Sequence, residues 1–561
     1  MNKPREIRPS LAMPKWLGSF LVLLALTPVL SAGPGPAASP AVDLTRYRVV
    51  LHVTAAQGDD IKGDGSLAKP LASVVRALEL AGRPTATAPV AVLVTQGRYA
   101  QPTFSLKPHV DLYGGFASPG GARDIYRHAS ILDGGELNRI AIGSDHARVD
   151  GFHFQNGRVR GKGAALLCDG TSPTVTNCVF TNNRTLIPVP WNPPLLHETA
   201  NDGGAIMCLN GAAPRIGQNI FYDNATECGR GAALACDRAA NPIVIGNVFA
   251  NNRAGLTDPM RSSDGGAVSY FRWSGGVFED NVIVANESLT KNDAGGVFVT
   301  LWSAPRITGN RFVANEGGDD AGGLFLGGQE HRYDAPLDPY PAADKFNITV
   351  ERNVFVGNSN SAKNSGAMRV TMETRARFAH NLFAENAGGF YLQRSEITAE
   401  RNTIWQDWRF LEDKPSLGAS RFTGNILKGP AGPVEARVTF ERNAAEPSVP
   451  GGPHLAAEDI FAEDGLAGEL TGLRFDPVTC LTTLTTKAPL PAGVDLAGRQ
   501  VRMSDGAKGG QWRVITRAGG QEFVVWGRLD AVTKAPKKFE VLRTFTPKAG
   551  APADLGANLR N

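Results

Sequence analysis

Four aspartates, Asp202, Asp264, Asp293 and Asp320, each stand just ahead of a Gly-Gly pair that recurs along the chain. Carboxylates repeated in a stacked structure face one another at short range. Like charges that close are unfavourable unless a cation or hydrogen-bond donors lie between them. The pattern therefore has three readings: a Ca²⁺ site, catalytic carboxylates in a groove, or a cap that each aspartate places on its own glycine turn. Asp202 and Asp264 lie two residues before the second glycine, and Asp293 and Asp320 three. That change of register favours capping. No cofactor other than Ca²⁺ is indicated, because the six cysteines include no Cys-x-x-Cys pair that would suggest zinc or thioredoxin-like chemistry.

The segment 184–202 (RTLIPVPWNPPLLHETAND) brings together Trp191, His197 and Glu198, and the segment 327–346 supplies His331 and Tyr333. Rings with carboxyl and imidazole groups are the residue types that sugar sites use. The plain alternative is that Trp191 and the prolines pack their loop onto the structure beneath it.

The elements that position these residues come from a repeat. The phrase Asn-x-Phe/Ile-x-x-Asn recurs at Asn219-Phe221-Asn224, Asn247-Phe249-Asn252, Asn281-Ile283-Asn286, Asn310-Phe312-Asn315, Asn353-Phe355-Asn358 and Asn381-Phe383-Asn386. A variant with one inserted residue stands at Asn177-Phe180-Asn183, and an echo at Asn402-Ile404 and Asn425. From Asn219 to Asn402 the leading asparagines are 28, 34, 29, 43, 28 and 21 residues apart. The Gly pairs alternate with this phrase, and Pro-x-Ile/Val marks fall between them at Pro173, Pro214, Pro242 and Pro305.

Each unit holds short runs of β-formers punctuated by Gly, Asn or Pro, and none holds an apolar stripe of helical period. The shortest units are too short for a four-stranded propeller blade. A parallel β-solenoid fits, with equivalent residues stacked about 4.8 Å apart. In such a stack an asparagine amide donates to one neighbouring coil and accepts from the other, so the row satisfies itself inside the turns. The repeated Phe predicts an interior stack. The segments 184–202, 253–264 and 287–293 all fall between the Asn phrase and the next Gly pair. They are predicted to project from one corner as a groove wall, while 327–346 leaves from a different turn.

Before the array, Tyr47 to Val53 reads as a strand and Leu71 to Ala81 as an amphipathic helix with Ser73 inside its first turn. An open solenoid end exposes strand edges, so this pair is the candidate cap. Residues 1–32 read as a secretory signal: Lys3, Arg5, Arg8 and Lys15 precede the apolar stretch Trp16 to Leu26, and Leu30-Ser31-Ala32 forms a cleavage site. The expected division is 1–32 signal, 33–44 linker, 45–84 cap, 85–445 solenoid, 446–465 linker and 466–561 a small β-module. Cys168, Cys178, Cys208, Cys228 and Cys236 cluster while Cys480 stands apart. They are either buried thiols or include one bridge within the cluster.

The order strand, GDD loop, helix, then VLVTQGRYAQPTFSLKPHVDLYGGF (92–116) resembles the opening of bacterial pectin-lyase-like right-handed parallel β-helix proteins. The alternating GGA and FxxN phrases resemble repeats of the polymorphic outer-membrane protein family. The tail TFTPKAGAPADLGA (544–557) resembles the segment that closes bacterial β-helix proteins. The resemblance implies an all-β, right-handed parallel β-helix, a fold shared by lyases, hydrolases, epimerases and adhesins. Pectin hydrolases join an Asp-Asp to NTD, GHG and RIK phrases; Asp319-Asp320 matches the first and none of the others is present. The epimerase phrase DPHD is absent too. Lyases of this fold use a Lys or Arg base, for which Arg261, Arg272 and Lys291 are candidates by location.

Lys+Arg is 58 and Asp+Glu 54, a formal charge of +4. Four of the cations and one anion lie in the first 32 residues, leaving 54 against 53. A near-neutral body excludes a nucleic-acid binder that works by neutralising phosphates. After the first 32 residues no apolar run is long enough to span a membrane. The expectation is a secreted, periplasmic or cell-surface protein whose partner is a polysaccharide or cell-surface glycan. Two function classes stay open: binding through the solenoid flank without catalysis, or cleavage as a polysaccharide lyase or glycoside hydrolase of acidic polysaccharides. Arg261, Asp264, Asp293 and Asp320 are the catalytic candidates, and Asp202, Asp264, Asp293 and Asp320 the metal candidates.

Overall fold

A computed structural model describes residues 39, 41–187, 201–257, 263–289, 294–328, 347–410, 418–428, 437–445, 449, 460–503, 511–529, 537–548 and 555–559. The expected signal and most of the linker (residues 33–44) lie outside these residues. Among them no helix is long and apolar enough to cross a membrane.

The chain winds through four parallel sheets of 14, 13, 11 and 7 strands, each extended by one strand from successive coils. In the Asn phrase, Ile220–Tyr222 is a strand of the 13-stranded sheet with Phe221 turned inward, and Ala225–Thr226 a strand of the 7-stranded sheet. The two asparagines sit at the bends on either side. Asn219, Asn247, Asn281, Asn310, Asn353, Asn381, Asn402, Asn425 and Asn443 form one buried ladder. Each Oδ1 accepts both the backbone N–H and the amide of the preceding member at 2.8–3.0 Å. A second ladder runs from Asn183 through Asn224, Asn252, Asn286, Asn315, Asn358 and Asn386 to Gln406. Asn402 and Asn425 are thus full members rather than echoes. Asn177 is not a member: the inserted residue shifts it to φ 55° and its amide turns to Asp150 at 2.7 Å.

The inward phenylalanines stack as expected, with Phe154, Phe180, Phe221 and Phe249 separated by 4.8, 4.7 and 4.9 Å and Phe312, Phe355 and Phe383 by 4.5 and 4.7 Å. The Gly pair marks close coil approach. A Cβ on Gly204 would lie 2.2 Å from the Ala232 carbonyl oxygen of the next coil. All six cysteines are buried thiols. Cys168, Cys208 and Cys236 occupy one in-register interior row that continues into Tyr270. Burial pushes the Cys178 thiol up to about 12, so it stays protonated and inert at neutral pH.

The helix is shorter than expected, Val74–Leu80, with Ser73 as its N-cap accepting from the Arg76 N–H. Its start is delayed because Leu71 exchanges backbone hydrogen bonds with His52 and Thr54, and Asp60 holds the N–H groups of Ala72 and Ser73. Val74, Ala77 and Leu78 join the solenoid core. The predicted inserts also begin later. Arg184–Leu186, Arg253–Ala254 and Glu287–Ser288 are strands of the 7-stranded sheet.

The C-terminal module is a closed six-stranded antiparallel barrel of Leu466–Asp476, Leu481–Thr486, Gln500–Met503, Gln511–Gly519, Glu522–Trp526 and Lys538–Val541. It is docked on the solenoid. Outward residues of the 13-stranded sheet, among them Ile220, Val248, Val284 and Val354, form one buried cluster with Phe461, Cys480, Trp512, Val514 and Phe545. Polar latches flank the contact: Arg528 N–H donates to Asn251 Oδ1 at 2.9 Å, and Arg311 Nε to the Gly498 carbonyl at 2.9 Å.

Candidate functional site

The 11-stranded sheet lies between the two places where the chain inserts. Segments 188–200, 258–262 and 290–293 precede its strands Ile206–Leu209, Val268–Tyr270 and Val297–Val299, and segment 329–346 follows its strand Leu324–Gly327. Alternation along each strand sends one or two side chains outward. Following the register, the central outward row reads Leu167, Met207, Ala235, Ser269, Phe298, Phe325, Arg369, Tyr391 and Arg409. Its first six members are apolar or small, and Phe298 and Phe325 stack at 4.7 Å. The last three change character.

Arg369 and Arg409 flank Tyr391, each guanidinium carbon 5.3 Å from the ring centroid. Inward neighbours fix the backbone beneath them: Met368, Val370, Phe390, Leu392 and Trp408 are buried in the core. Two guanidinium groups on one ring repel, and neighbouring oxygens offset this. Asp320 Oδ1 accepts a short hydrogen bond from Arg369 Nη1, Gln393 Oε1 lies 3.5 Å from Arg369 Nη2, and the Asn364 carbonyl lies 3.4 Å from Arg409 Nη2. The Nε groups of both arginines are buried without a hydrogen-bond partner among the described residues. Burial outweighs Arg369 and, with Asp319 adjacent, pushes the Asp320 carboxyl up to about 6. Forked guanidinium donors beside an aromatic ring suit a planar anion or a hydroxyl-rich ring.

The other sequence candidates fall elsewhere. Asp202 is buried and committed to the next coil: its Oδ1 accepts the Arg230 backbone N–H at 2.9 Å and its Oδ2 lies 2.7 Å from Arg230 Nη2, with Lys162 Nζ at 3.7 Å. Arg230 lies flat over Phe271, 3.5 Å from the ring centroid. Burial disfavours the Arg230 charge, and Asp202, Asp237 and Asp264 more than offset it, holding its pKa above the usual arginine value. Asp202 and Asp264 therefore converge on a guanidinium rather than stacking on each other. Arg272 is bound to Asp237, its Nε 2.8 Å from Oδ1. Asp320 faces Arg369. Among the described residues no group of three or more His, Cys, Asp or Glu could hold a metal ion. Trp191, His197, Glu198, Arg261, Lys291, Asp293, His331 and Tyr333 lie outside the described residues. Arg369, Tyr391 and Arg409 escaped the sequence reading. Their signal is positional: Gly366-Ala367-Met368 and Gly388-Gly389-Phe390 fix the inward residue, so the next one must point out.

A family model described as "Right handed beta helix region" matches residues 133–323. No curated protein matches in sequence. Among solved structures, a tailspike protein, gp49, from Acinetobacter baumannii bacteriophage Fri1, described as a capsular polysaccharide depolymerase, is 10% identical with a TM-score of 0.24, covering 89% of this chain and 86% of that one. A tailspike protein of E. coli bacteriophage HK620, in complex with pentasaccharide, is 11% identical with a TM-score of 0.23, covering 81% of each chain. Over residues 133–323 the chain is similar to the right-handed β-helix family, and its stacked parallel sheets are the coils of a parallel β-helix.

Proposed function

We propose that this is an exported β-helix protein that binds a glycan along the outer face of its 11-stranded sheet, at Arg369, Tyr391 and Arg409. The supporting observation is the in-register row itself. Arg369, Tyr391 and Arg409 repeat at the interstrand spacing of about 4.8 Å, a step of the same order as one sugar ring in an extended polysaccharide. The two guanidinium groups offer forked donors to hydroxyls and carboxylates along such a chain, with the buried Tyr391 ring holding them in place. Trp191, His197, Glu198, His331 and Tyr333 are, on this reading, further glycan-binding residues, as their types suggest. Affinity electrophoresis against a polysaccharide panel tests it: Arg409→Ala and Tyr391→Ala should abolish the retardation that the parent shows. Retention of full binding by both variants, with thermal stability unchanged, sinks the assignment.

Cleavage is the second reading, and Asp320 is the observation that favours it. A carboxyl raised to about 6 beside an arginine is poised for proton transfer near neutrality. Incubation with uronic-acid polysaccharides, followed by absorbance of unsaturated products and by reducing-end release, separates a lyase or hydrolase from a binder.

A further inference from the structure

The Arg369–Tyr391–Arg409 row combines positive charge with restricted access. Arg409 contacts the Asn364 carbonyl and the Tyr391 ring, and among the described residues no carboxylate lies in bonding contact with it. Arg369 has one carboxylate, Asp320, whose side chain is only 13% exposed. Among the described residues the sheet therefore presents two guanidinium groups with one carboxylate, Asp320, in direct contact with them.

Resting on the glycan-binding reading above, we propose that this row takes a carboxylate-bearing polysaccharide and that Asp320 is a built-in competitor for Arg369. A ligand carboxylate meets Arg409 directly, and it meets Arg369 by displacing the Asp320 carboxylate. Among the described residues, other charged groups around the row hold partners of their own. Arg394 Nη2 pairs with Glu373 at 2.7 Å and Lys428 Nζ with Asp407 at 3.5 Å. Asp319 adds negative charge beside Asp320, and Lys363, Asn364 and Ser365 form the turn over Arg409, with Ser365 Oγ donating to the Asp320 carbonyl at 2.5 Å. Gln393 and Thr371 are neutral and bonded to each other at 3.2 Å. Among the described residues Asp320 is thus the titratable group in direct contact with Arg369.

The sign follows from its direction of shift. With the carboxyl at about 6, Asp320 is mostly protonated at pH 5 and mostly ionised at pH 7.5, while uronate carboxylates stay ionised at both. Protonation frees Arg369, so the competent fraction of sites rises about tenfold or more on acidification. Binding should tighten as pH falls, as general gain of positive charge also gives, so the Asp320 contribution is the part of the pH dependence that disappears when Asp320 is replaced.

The experiment measures affinity for alginate, polygalacturonate and hyaluronate and for their methyl esters, at pH 5 and pH 7.5, at fixed salt. The parent protein should bind an ionised form at least tenfold more tightly than its ester, and about tenfold more tightly at pH 5 than at pH 7.5. Asp320→Asn should bind tightly at both pH values, and Arg409→Gln should lose affinity at both. Esters bound as well as the parent polymers would overturn the carboxylate preference and leave the glycan-binding reading standing. An unchanged pH dependence in Asp320→Asn would overturn the competitor role. Failure of every polymer to bind would overturn this inference, and retardation by the wider polysaccharide panel then decides the reading beneath it.

Discussion

Replacing Asn310 by leucine tests the ladder at its centre. Asn310 Oδ1 accepts the Asn281 backbone N–H and amide, both at 2.9 Å. Its own amide donates to the Phe278 carbonyl at 2.9 Å, the Thr308 carbonyl at 3.1 Å and Asn353 Oδ1 at 2.9 Å. Leucine removes all of these, but the losses are unequal. Asn353 Oδ1 keeps the Asn310 backbone N–H at 2.8 Å, and the Asn281 amide keeps the Val244 carbonyl at 3.1 Å. The Asn281 backbone N–H keeps nothing, in a residue 1% exposed. One orphaned backbone donor and one weakened amide cost about 1–3 kcal/mol each, and the buried leucine returns about 1–2 kcal/mol. The net expectation is a loss of about 2–4 kcal/mol. Urea unfolding followed by intrinsic fluorescence reads the global effect. Because a solenoid is coupled mainly to its nearest neighbours, hydrogen exchange at the Asn281 amide should accelerate most. Asn310→Asp keeps the oxygen that accepts both Asn281 bonds and sets a second oxygen against Asn353 Oδ1, so it should spare Asn281 exchange. Unchanged urea midpoints together with unchanged Asn281 protection in the leucine variant would refute the ladder as a source of stability.

Three other outcomes are expected. Asp202→Ala leaves the buried Arg230 guanidinium without its bidentate partner and should cost about 3–5 kcal/mol, read as a lower urea midpoint; a change below 1 kcal/mol would show that Asp237 and Asp264 suffice. Tyr270→Phe removes a buried hydroxyl that has no hydrogen-bond partner among the described residues, so stability should hold or rise by about 1 kcal/mol; a clear loss of thermal stability contradicts this. A chain ending before Ile460 uncovers the apolar outer face of the 13-stranded sheet and should self-associate in light scattering; a monomeric truncation would show that the barrel is dispensable cover.

Much of the solenoid was legible because its chemistry repeats: an asparagine whose amide must find partners every coil, and a phenylalanine that must face inward, leave a period that survives insertions of varying length. Where the spacing slipped by one residue, as at Asn177, the ladder moved on without it and the pattern alone did not say so. The docked barrel left a trace that went unread. Ile220-Phe221-Tyr222, Val248-Phe249-Ala250 and Val354-Phe355-Val356 are apolar at every position, which marks strands buried on both faces rather than one. The basic row was harder. Arg369, Tyr391 and Arg409 are single residues 22 and 18 positions apart, and only the register makes them neighbours. The spacing of Asp202 and Asp264 leaves capping, metal and catalytic readings open; Arg230, immediately ahead of the matching phrase Gly231-Ala232-Ala233, is the counter-charge between them that spacing does not reveal.

The docked barrel also sets an order of events for the newborn chain. Each coil finds its partner strands within a few dozen residues, so coils can settle one on another as the polypeptide lengthens. The seal over their outer face is different in kind. Tyr222 Oη donates to the Pro477 carbonyl 255 residues away, and Arg528 reaches back 277 residues to Asn251. Until that far segment exists, a finished stack stands with a strip of valine, isoleucine and alanine open to water and to any other chain nearby. Growth and closure are therefore separate clocks, and the interval between them is when a passing chaperone, or a second unfinished copy, has its opportunity.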